Sequence, residues 1–170
     1  MSIFKKSNCR IAALAVAVFA LDQFTKWLVL HLLPEGDEKI VIRGFFRFVH
    51  WDNTGAAWSL FRNNNGALAL VALVALFALI YMRDHFNAHR FSGQIALGLI
   101  FGGIAGNLMD RLRIGHVTDF IYFYLQKRGG GQIGFPAFNI ADSAICTGVA
   151  LVFLITWKNE NQPKPMANGK

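Results

Sequence analysis

Cysteine, proline and acidic residues are all scarce in this chain of 170 residues. The two cysteines, Cys9 and Cys146, fall at different depths of the topology predicted below, which excludes a disulfide between them. No second cysteine or histidine stands beside either one at the spacing of metal ligands, and the five histidines are scattered. The sequence therefore predicts no metal site, and no cofactor is expected.

Charge is one-sided, with 10 acidic residues against 17 Lys and Arg and a net charge of +7. A nucleic-acid-binding protein gathers its basic residues on one face, but here they cluster at the ends of apolar segments, which argues against nucleic acid as a partner. By the positive-inside rule, the basic clusters in short segments predict that both termini are cytoplasmic. The residues of these clusters are Lys5, Lys6, Arg10, Arg83, Arg90, Lys158, Lys164 and Lys170.

Long stretches of the chain lack charge altogether, and 54% of its residues are hydrophobic. A helix needs about 20 apolar residues to cross the hydrocarbon core of a bilayer. Four segments meet this length and predict transmembrane helices at about 11–33, 66–82, 93–110 and 138–157. We therefore predict an all-α integral membrane protein that forms a single polytopic domain over residues 1–170. A soluble bundle of four unusually apolar helices is the less favoured alternative.

The first apolar segment also has features of a cleavable signal peptide, namely a basic start, an apolar run and the small residue Ala20. The apolar run continues past Ala20 to Leu30, however, which is longer than the short apolar region of a signal peptide. A retained transmembrane helix is therefore expected.

Two outer segments, about 34–65 and 111–137, join the predicted spans. In the first of them, residues 40–42 and 45–49 are rich in β-branched and aromatic side chains, which predicts a small extracytoplasmic sheet. Asn53, Thr54 and Gly55 follow and favour a turn. Aromatic side chains in these segments could cover acyl chains or a peptide bound there, and they are equally suited to anchoring at the membrane interface. They are Phe45, Phe46, Phe48, Trp51, Trp58, Phe120, Tyr122 and Phe123.

Ionisable residues within apolar segments indicate function, because a charge in the membrane is costly unless it is paired, solvated or used. Asp22 and Lys26 have the i,i+4 spacing of a helical ion pair and are expected to support the structure. The first and third spans run outward and the fourth runs inward, so polar residues of all three should meet near the outer surface. Those of the third and fourth spans are Asn107, Asp110, Arg111, Asn139 and Asp142.

Asp119 lies in the second outer segment, which can return it to the same surface as Asp142. Two carboxyl groups a few ångström apart cannot both ionise cheaply, so they share a proton, and one then acts as base while the other acts as acid. We therefore interpret Asp119 and Asp142 as a catalytic carboxylate dyad.

Five motifs resemble those of the bacterial lipoprotein signal peptidases, or signal peptidase II, in the same order along almost the whole chain. They are Leu21-Asp22-Gln23 with Lys26, Asn53-Thr54-Gly55-Ala56-Ala57, Gly106-Asn107 with Asp110-Arg111, Val117-Thr118-Asp119-Phe120, and Phe135-Pro136-Ala137-Phe138-Asn139-Ile140-Ala141-Asp142-Ser143. Two features depart from the usual pattern. Met109 replaces an expected Tyr or Ile, and the segment 127–132 is longer and richer in glycine.

The resemblance implies an intramembrane aspartyl endopeptidase of the bacterial cytoplasmic (inner) membrane, expected to be a monomer embedded in membrane lipid. Its substrates would be diacylglyceryl-modified prolipoproteins, cut just before the lipidated cysteine. By motif position the catalytic residues would be Asp119 and Asp142. Substrate-binding or dyad-supporting roles would fall to Asn53, Gly55, Asn107, Arg111 and Asn139, and structural support to Asp22, Lys26 and Asp110.

Two functions from other classes compete with this interpretation. A small proton-coupled carrier could relay protons through Asp22, Asp119 and Asp142, but a carrier is expected to place acids along the full depth of the membrane, often in repeated halves. A non-catalytic scaffold of a membrane complex would use the acids only to pair helices. The chain has its acids near one surface and shows no internal repeat, which favours the peptidase.

Overall fold

The computed structural model describes residues 2–55 and 64–160, and these contain four long helices. They are α1 (Ser2–Leu32), α2 (Asn65–Met82), α3 (Phe91–Arg113) and α4 (Ile140–Glu160). Each contains a stretch that is long and apolar enough to cross a membrane. A short 3-10 helix, Arg83–Phe86, lies between α2 and α3. The predicted four-helix membrane architecture is thereby confirmed.

Helix α3 is the centre of the bundle, because it packs against all three other helices. Small residues allow this close approach. A Cβ atom added at Gly98 would lie 2.8 Å from Cβ of Leu14, and one added at Gly102 would lie 2.6 Å from the carbonyl oxygen of Ala15. The glycine stripe of the third span therefore brings the backbones of α1 and α3 together, as small residues do in membrane helices.

A four-stranded antiparallel sheet lies at one end of the bundle, with strand order β1-β2-β3-β4. The strands are β1 (Glu38–Ile42), β2 (Phe46–Asn53), β3 (Val117–Gln126) and β4 (Gln132–Gly134). The first two occupy the segment predicted to form strands. The other two fall in the second outer segment, 111–137, where no strand was predicted. Strand β3 pairs with β2, which lies more than roughly 60 residues earlier in the sequence. A local sequence pattern does not identify so distant a partner.

On one face of the sheet, the rings of Tyr122 and Tyr124 lie against the guanidinium of Arg47. The guanidinium of Arg47 lies 4.9 Å from the ring centre of Tyr122 and 4.5 Å from that of Tyr124. It also forms an ion pair of 2.8 Å with Glu38 and donates a hydrogen bond to Gln132. These contacts join all four strands, so the sheet is a firm support for the residues at its edge.

Strand β3 is tied directly to the start of α4. Phe138 and Ile121 form an isolated antiparallel bridge, and the carbonyl oxygen of Phe138 accepts hydrogen bonds from the amides of Phe120 and Ile121. The bridge holds Asp119, two residues before Ile121, beside the first turn of α4. The sheet and the helix ends therefore share one site.

Candidate active site

A buried cluster of charges joins α1 to α3. The ammonium group of Lys26, with only 3% of its side chain exposed, lies 2.8 Å from a carboxylate oxygen of Asp22 and 2.7 Å from one of Asp110. The Asp22–Lys26 ion pair expected from the i,i+4 spacing is present, and Asp110 completes it. The backbone amide of Ala141 donates to Asp22, which connects the cluster to α4.

Gln23 also belongs to this cluster, and the sequence reasoning did not assign it a role. Its side-chain amide donates to the carboxylates of Asp22, at 3.2 Å, and Asp110, at 2.9 Å, and to the carbonyl oxygen of Gly106, at 3.3 Å. The signal available in the sequence was a second polar residue beside Asp22 within an apolar segment.

Asn107 connects this cluster to Asp142 through two hydrogen bonds of its side chain. Its side-chain oxygen accepts a hydrogen bond of 2.9 Å from the ammonium of Lys26, and its side-chain nitrogen donates one of 2.7 Å to Asp142. Since an ammonium can only donate, the contact with Lys26 fixes which end of the Asn107 amide faces Asp142. The Asn107 amide therefore presents an N–H group, and not its oxygen, to the carboxyl group of Asp142.

Asn139 connects the two carboxyl groups of the predicted dyad. Its side-chain nitrogen donates a hydrogen bond of 2.9 Å to Asp119, and its backbone amide donates one of 3.2 Å to Asp142. In return, its side-chain oxygen accepts a bond of 2.9 Å from the backbone amide of Asp142. This reciprocal pattern, similar to a capping box, places Asp142 in the first turn of α4, where the helix dipole favours negative charge.

Asp119 is 3% exposed at the edge of the sheet, and a second amide holds it from the opposite side. The side chain of Asn53 donates a hydrogen bond of 2.9 Å to it, while the oxygen of the same amide accepts from the backbone of Gly55 and so fixes its orientation. Burial, and secondarily the charge of Asp142, raise the pKa of Asp119 to about 7. Near neutral pH, Asp119 can therefore hold a proton and donate it.

Arg111 lies at the end of α3 and connects it to the turn after β2. Its guanidinium donates to the carbonyl oxygens of Gly55, at 3.1 Å, and Asn107, at 3.4 Å. Gly55 follows the end of β2, and its carbonyl oxygen contacts the guanidinium of Arg111. Sequence spacing alone does not predict this contact.

The dyad opens onto a groove of about 900 Å³. Polar residues of the predicted site line its head, and apolar side chains line its walls. Of the wall residues, only Trp51 was a candidate from the sequence. Polar lining residues are Asn53, Gly55, Asn107, Arg111, Asp119 and Asp142, and the walls include Trp51, Phe135, Pro136, Phe138 and Ile145. Trp58, named above as an interfacial aromatic residue, lies outside the described residues. Within 2–55 and 64–160, no three His, Cys, Asp or Glu side chains converge as ligands for a metal ion.

All ten predicted site residues thus come together at one end of the bundle. Asp22, Lys26 and Asp110 form the buried base, Asn107 and Asn139 form the middle layer, and the two carboxyl groups face the groove. An acid with a raised pKa beside a carboxylate at a helix N-terminus is an arrangement suited to acid–base hydrolysis.

Comparison with known proteins identifies the family. The family model "Signal peptidase (SPase) II" matches residues 14–158. Among curated relatives, the lipoprotein signal peptidase of Aeromonas hydrophila subsp. hydrophila is 41% identical over 162 residues, covering 92% of this chain and 93% of the relative. That of Neisseria gonorrhoeae is 39% identical over 160 residues, covering 91% and 93%. A solved structure described as a bacterial membrane enzyme superposes with a TM-score of 0.80 at 31% identity and covers 94% of each chain.

Proposed function

We propose, since the chain belongs to the signal peptidase II family, that it works as an aspartic endopeptidase with Asp119 and Asp142 as its catalytic pair. Membership of this family means that the chain is a membrane-embedded peptidase that processes lipoprotein signal peptides. The alternative of a proton-coupled carrier is not supported. The observation that carries the aspartic mechanism is that Asn139 bonds both carboxyl groups at the head of one groove.

The environments of the two carboxyl groups suggest different roles. Asp142 lies at the N-terminus of α4 and accepts hydrogen bonds from two N–H groups, of Asn107 and Asn139, and we assign it the role of general base. It removes a proton from a water molecule, whose oxygen attacks the carbonyl carbon of the scissile peptide. Asp119, whose pKa is raised to about 7, donates its proton to the carbonyl oxygen. When the tetrahedral intermediate collapses, the C–N bond breaks and the leaving nitrogen takes up the proton held by Asp142. One hydroxyl proton of the intermediate returns to Asp119 as the C=O bond re-forms, which restores both carboxyl groups to their starting states.

The substrates we assign are diacylglyceryl-modified prolipoproteins, cut just before the lipidated cysteine. The relatives are named as lipoprotein signal peptidases, and the groove combines a polar head with apolar walls such as Phe135 and Ile145. Burial of acyl chain contributes about 0.8 kcal/mol per CH₂, so the bilayer itself concentrates such a substrate beside the groove. The binding energy then comes largely from lipid and signal helix rather than from a soluble domain.

We further propose that the protein acts as a monomer in the bacterial cytoplasmic (inner) membrane, with both termini in the cytoplasm and the groove near the outer surface. The basic clusters at the termini and in the α2–α3 connection support this orientation through the positive-inside rule. A groove at the outer surface has access to water, and it meets the substrate after export.

The mechanism is tested with the variants Asp119→Asn and Asp142→Asn, each of which removes an ionisable carboxyl group with almost no change in volume. Each should abolish cleavage of a lipidated prolipoprotein by the purified enzyme while leaving the folded protein in the membrane. Asp37→Asn changes an exposed acid near the start of the sheet and is the matched control, expected to retain activity. Turnover near the control value in either dyad variant would remove that residue from the mechanism.

The substrate assignment is tested with the same precursor lacking its diacylglyceryl group. It should remain uncut by wild-type enzyme under conditions that process the lipidated form. Equal turnover of both forms would show that the acyl chains are not recognised, and the assignment would be abandoned even with the dyad intact.

A further inference from the structure

The sheet exposes an apolar surface that extends beyond the groove and shares only Phe135 with it. Phe46, Phe123, Leu125, Ile133 and Phe135 form this surface, named here the aromatic face. Direct cross-strand pairing puts Phe46 beside Phe123 and Leu125 beside Ile133, so each pair points to one side of the sheet. Leu125, Ile133 and Phe135 are 65%, 60% and 60% exposed. Large contiguous apolar patches on an exposed surface mark sites of interaction.

The aromatic face points in the same direction as Asp119. Successive side chains of a strand alternate between the two faces, so Asp119, Phe123 and Leu125 project to one side of β3 while Tyr122 and Tyr124 project to the other. The burial of the strand follows this alternation, since Tyr122 and Tyr124 are buried and Phe123 and Leu125 are exposed. Asp119 reaches Asn139 at the start of α4. This side of the sheet therefore faces the helix ends, and farther along β3 it extends beyond them.

Two aromatic contacts make the aromatic face continuous with the membrane-spanning part of the protein. The ring of Phe138, one residue before Asn139, lies 6.1 Å from that of Phe123 and 6.0 Å from that of Phe135. Helix α4 begins at Ile140 and is apolar enough to span the bilayer. The aromatic face is thus placed at the level where α4 leaves the hydrocarbon.

The turn between β3 and β4 carries positive charge. Lys127 and Arg128 are both exposed at its tip, which is closed by hydrogen bonds between the backbones of Lys127 and residues 130 and 131. A surface with apolar side chains beside long basic ones suits the bilayer interface, where rings lie at headgroup level and basic groups reach the phosphates.

We propose that the β3–β4 hairpin docks onto anionic phospholipid headgroups of the adjacent leaflet, with the aromatic face in the interface and Lys127 and Arg128 on the phosphates. Phospholipid is favoured over a second copy of the chain or the substrate's acyl chains by the positive charge at the tip and by the continuity with α4. Docking contributes about a fivefold preference per basic residue for an anionic membrane, so about 30-fold for the two.

The experiment places a spin label on the hairpin of the full chain, with Cys9 and Cys146 replaced by serine, in vesicles of stated composition. Ile133→Cys puts the label on the aromatic face. Gln126→Cys puts it on the opposite face, because Gln126 pairs with Gln132, which binds Arg47 on the tyrosine side. Accessibility to oxygen and to a water-soluble nickel complex then reports the immersion of each label. No substrate is needed, so the outcome is independent of the proposed proteolysis.

In vesicles of phosphatidylglycerol and phosphatidylcholine, the label at 133 should be immersed and the label at 126 should remain in water. Pure phosphatidylcholine, high salt, or the double variant Lys127→Gln and Arg128→Gln should each lower the immersed fraction of the 133 label. Lys6→Gln with Lys158→Gln removes the same charge from exposed sites elsewhere and should change nothing.

Three outcomes would overturn the proposal. Equal immersion of both labels would show that no particular face is docked. Immersion of the 133 label only after addition of lipidated substrate would assign the face to acyl chains. Immersion that depends on protein density in the vesicle would assign it to contacts between copies of the chain.

Discussion

Replacement of Lys26 by methionine tests the buried cluster most directly, because methionine keeps the length and apolar stem of lysine and removes its charge. The ammonium of Lys26 neutralises Asp22 and Asp110, which are 0% and 6% exposed. Removing one partner of a buried ion pair costs about 3 to 5 kcal/mol, since it leaves uncompensated buried charge. For a protein of this size each kcal/mol lowers Tm by about 2 to 4 °C, so a decrease of about 6 to 20 °C is expected.

The measurement is thermal unfolding of the purified protein in detergent, followed by the helical circular dichroism signal. Lys158→Met, at an exposed position near the end of α4, is the control and should leave Tm unchanged. Asp110→Asn combined with Lys26→Met should cost less than the sum of the two single changes, because the double variant lacks one of the acids left unpaired. A Tm for Lys26→Met close to that of the control, or strict additivity in the double variant, would refute the assignment of Lys26 as the ion that holds this cluster together.

Three further predictions follow from the site and the bundle. The pKa of Asp119 rises from 3.8 to about 7 on folding. Cleavage should therefore decrease as pH rises through about 7, because Asp119 loses the proton that it donates. The contribution of Asp119 to the free energy of unfolding is fully present below about pH 4 and is lost as pH rises to 7. The Asp119→Asn variant should lose this pH dependence of Tm between about pH 4 and 7. A Tm that changes with pH as steeply in the variant as in the wild type would contradict the raised pKa of Asp119. Gly106→Ala should destabilise the protein, because the added Cβ meets the carboxylate of Asp22, whereas Gly66→Ala, with open space around it, should not; equal Tm values would argue against close packing there. Reporter fusions after Arg90 and Lys164 should report the cytoplasm and fusions after Glu38 and Lys127 the outer side, and a reversed pattern would contradict the proposed orientation.

The aromatic face and the groove have a common consequence for how substrate reaches the dyad. Phe135 belongs to both surfaces, since it lines the groove and is one of the five residues of the aromatic face. A hairpin docked on lipid would hold the wall of the groove at the level of the interface. On the proposed substrate assignment, the lipidated cysteine would lie at that same level, because its acyl chains would remain in the hydrocarbon.

The sequence alone determines where the four long helices lie and which charged residues within or beside them need a partner or a use. Apolar length is a local property, and a bilayer leaves few structures other than a helix for such a segment. The Asp22–Lys26 ion pair is likewise local, because four residues of one helix bring the two side chains together. The two acids could be selected for the same reason, since a carboxyl group beside or within an apolar segment requires a partner or a use.

Only the tertiary structure decided how those residues are held. Strand β3 was not predicted, because its partner β2 is distant in sequence and the pairing depends on packing rather than on local propensity. The role of Gln23 and the carbonyl partners of Arg111 follow from close approaches between α1, α3 and the end of β2. So does the raised pKa of Asp119, because burial at the edge of the sheet, its first cause, does not exist until the strands and helix ends have assembled around it.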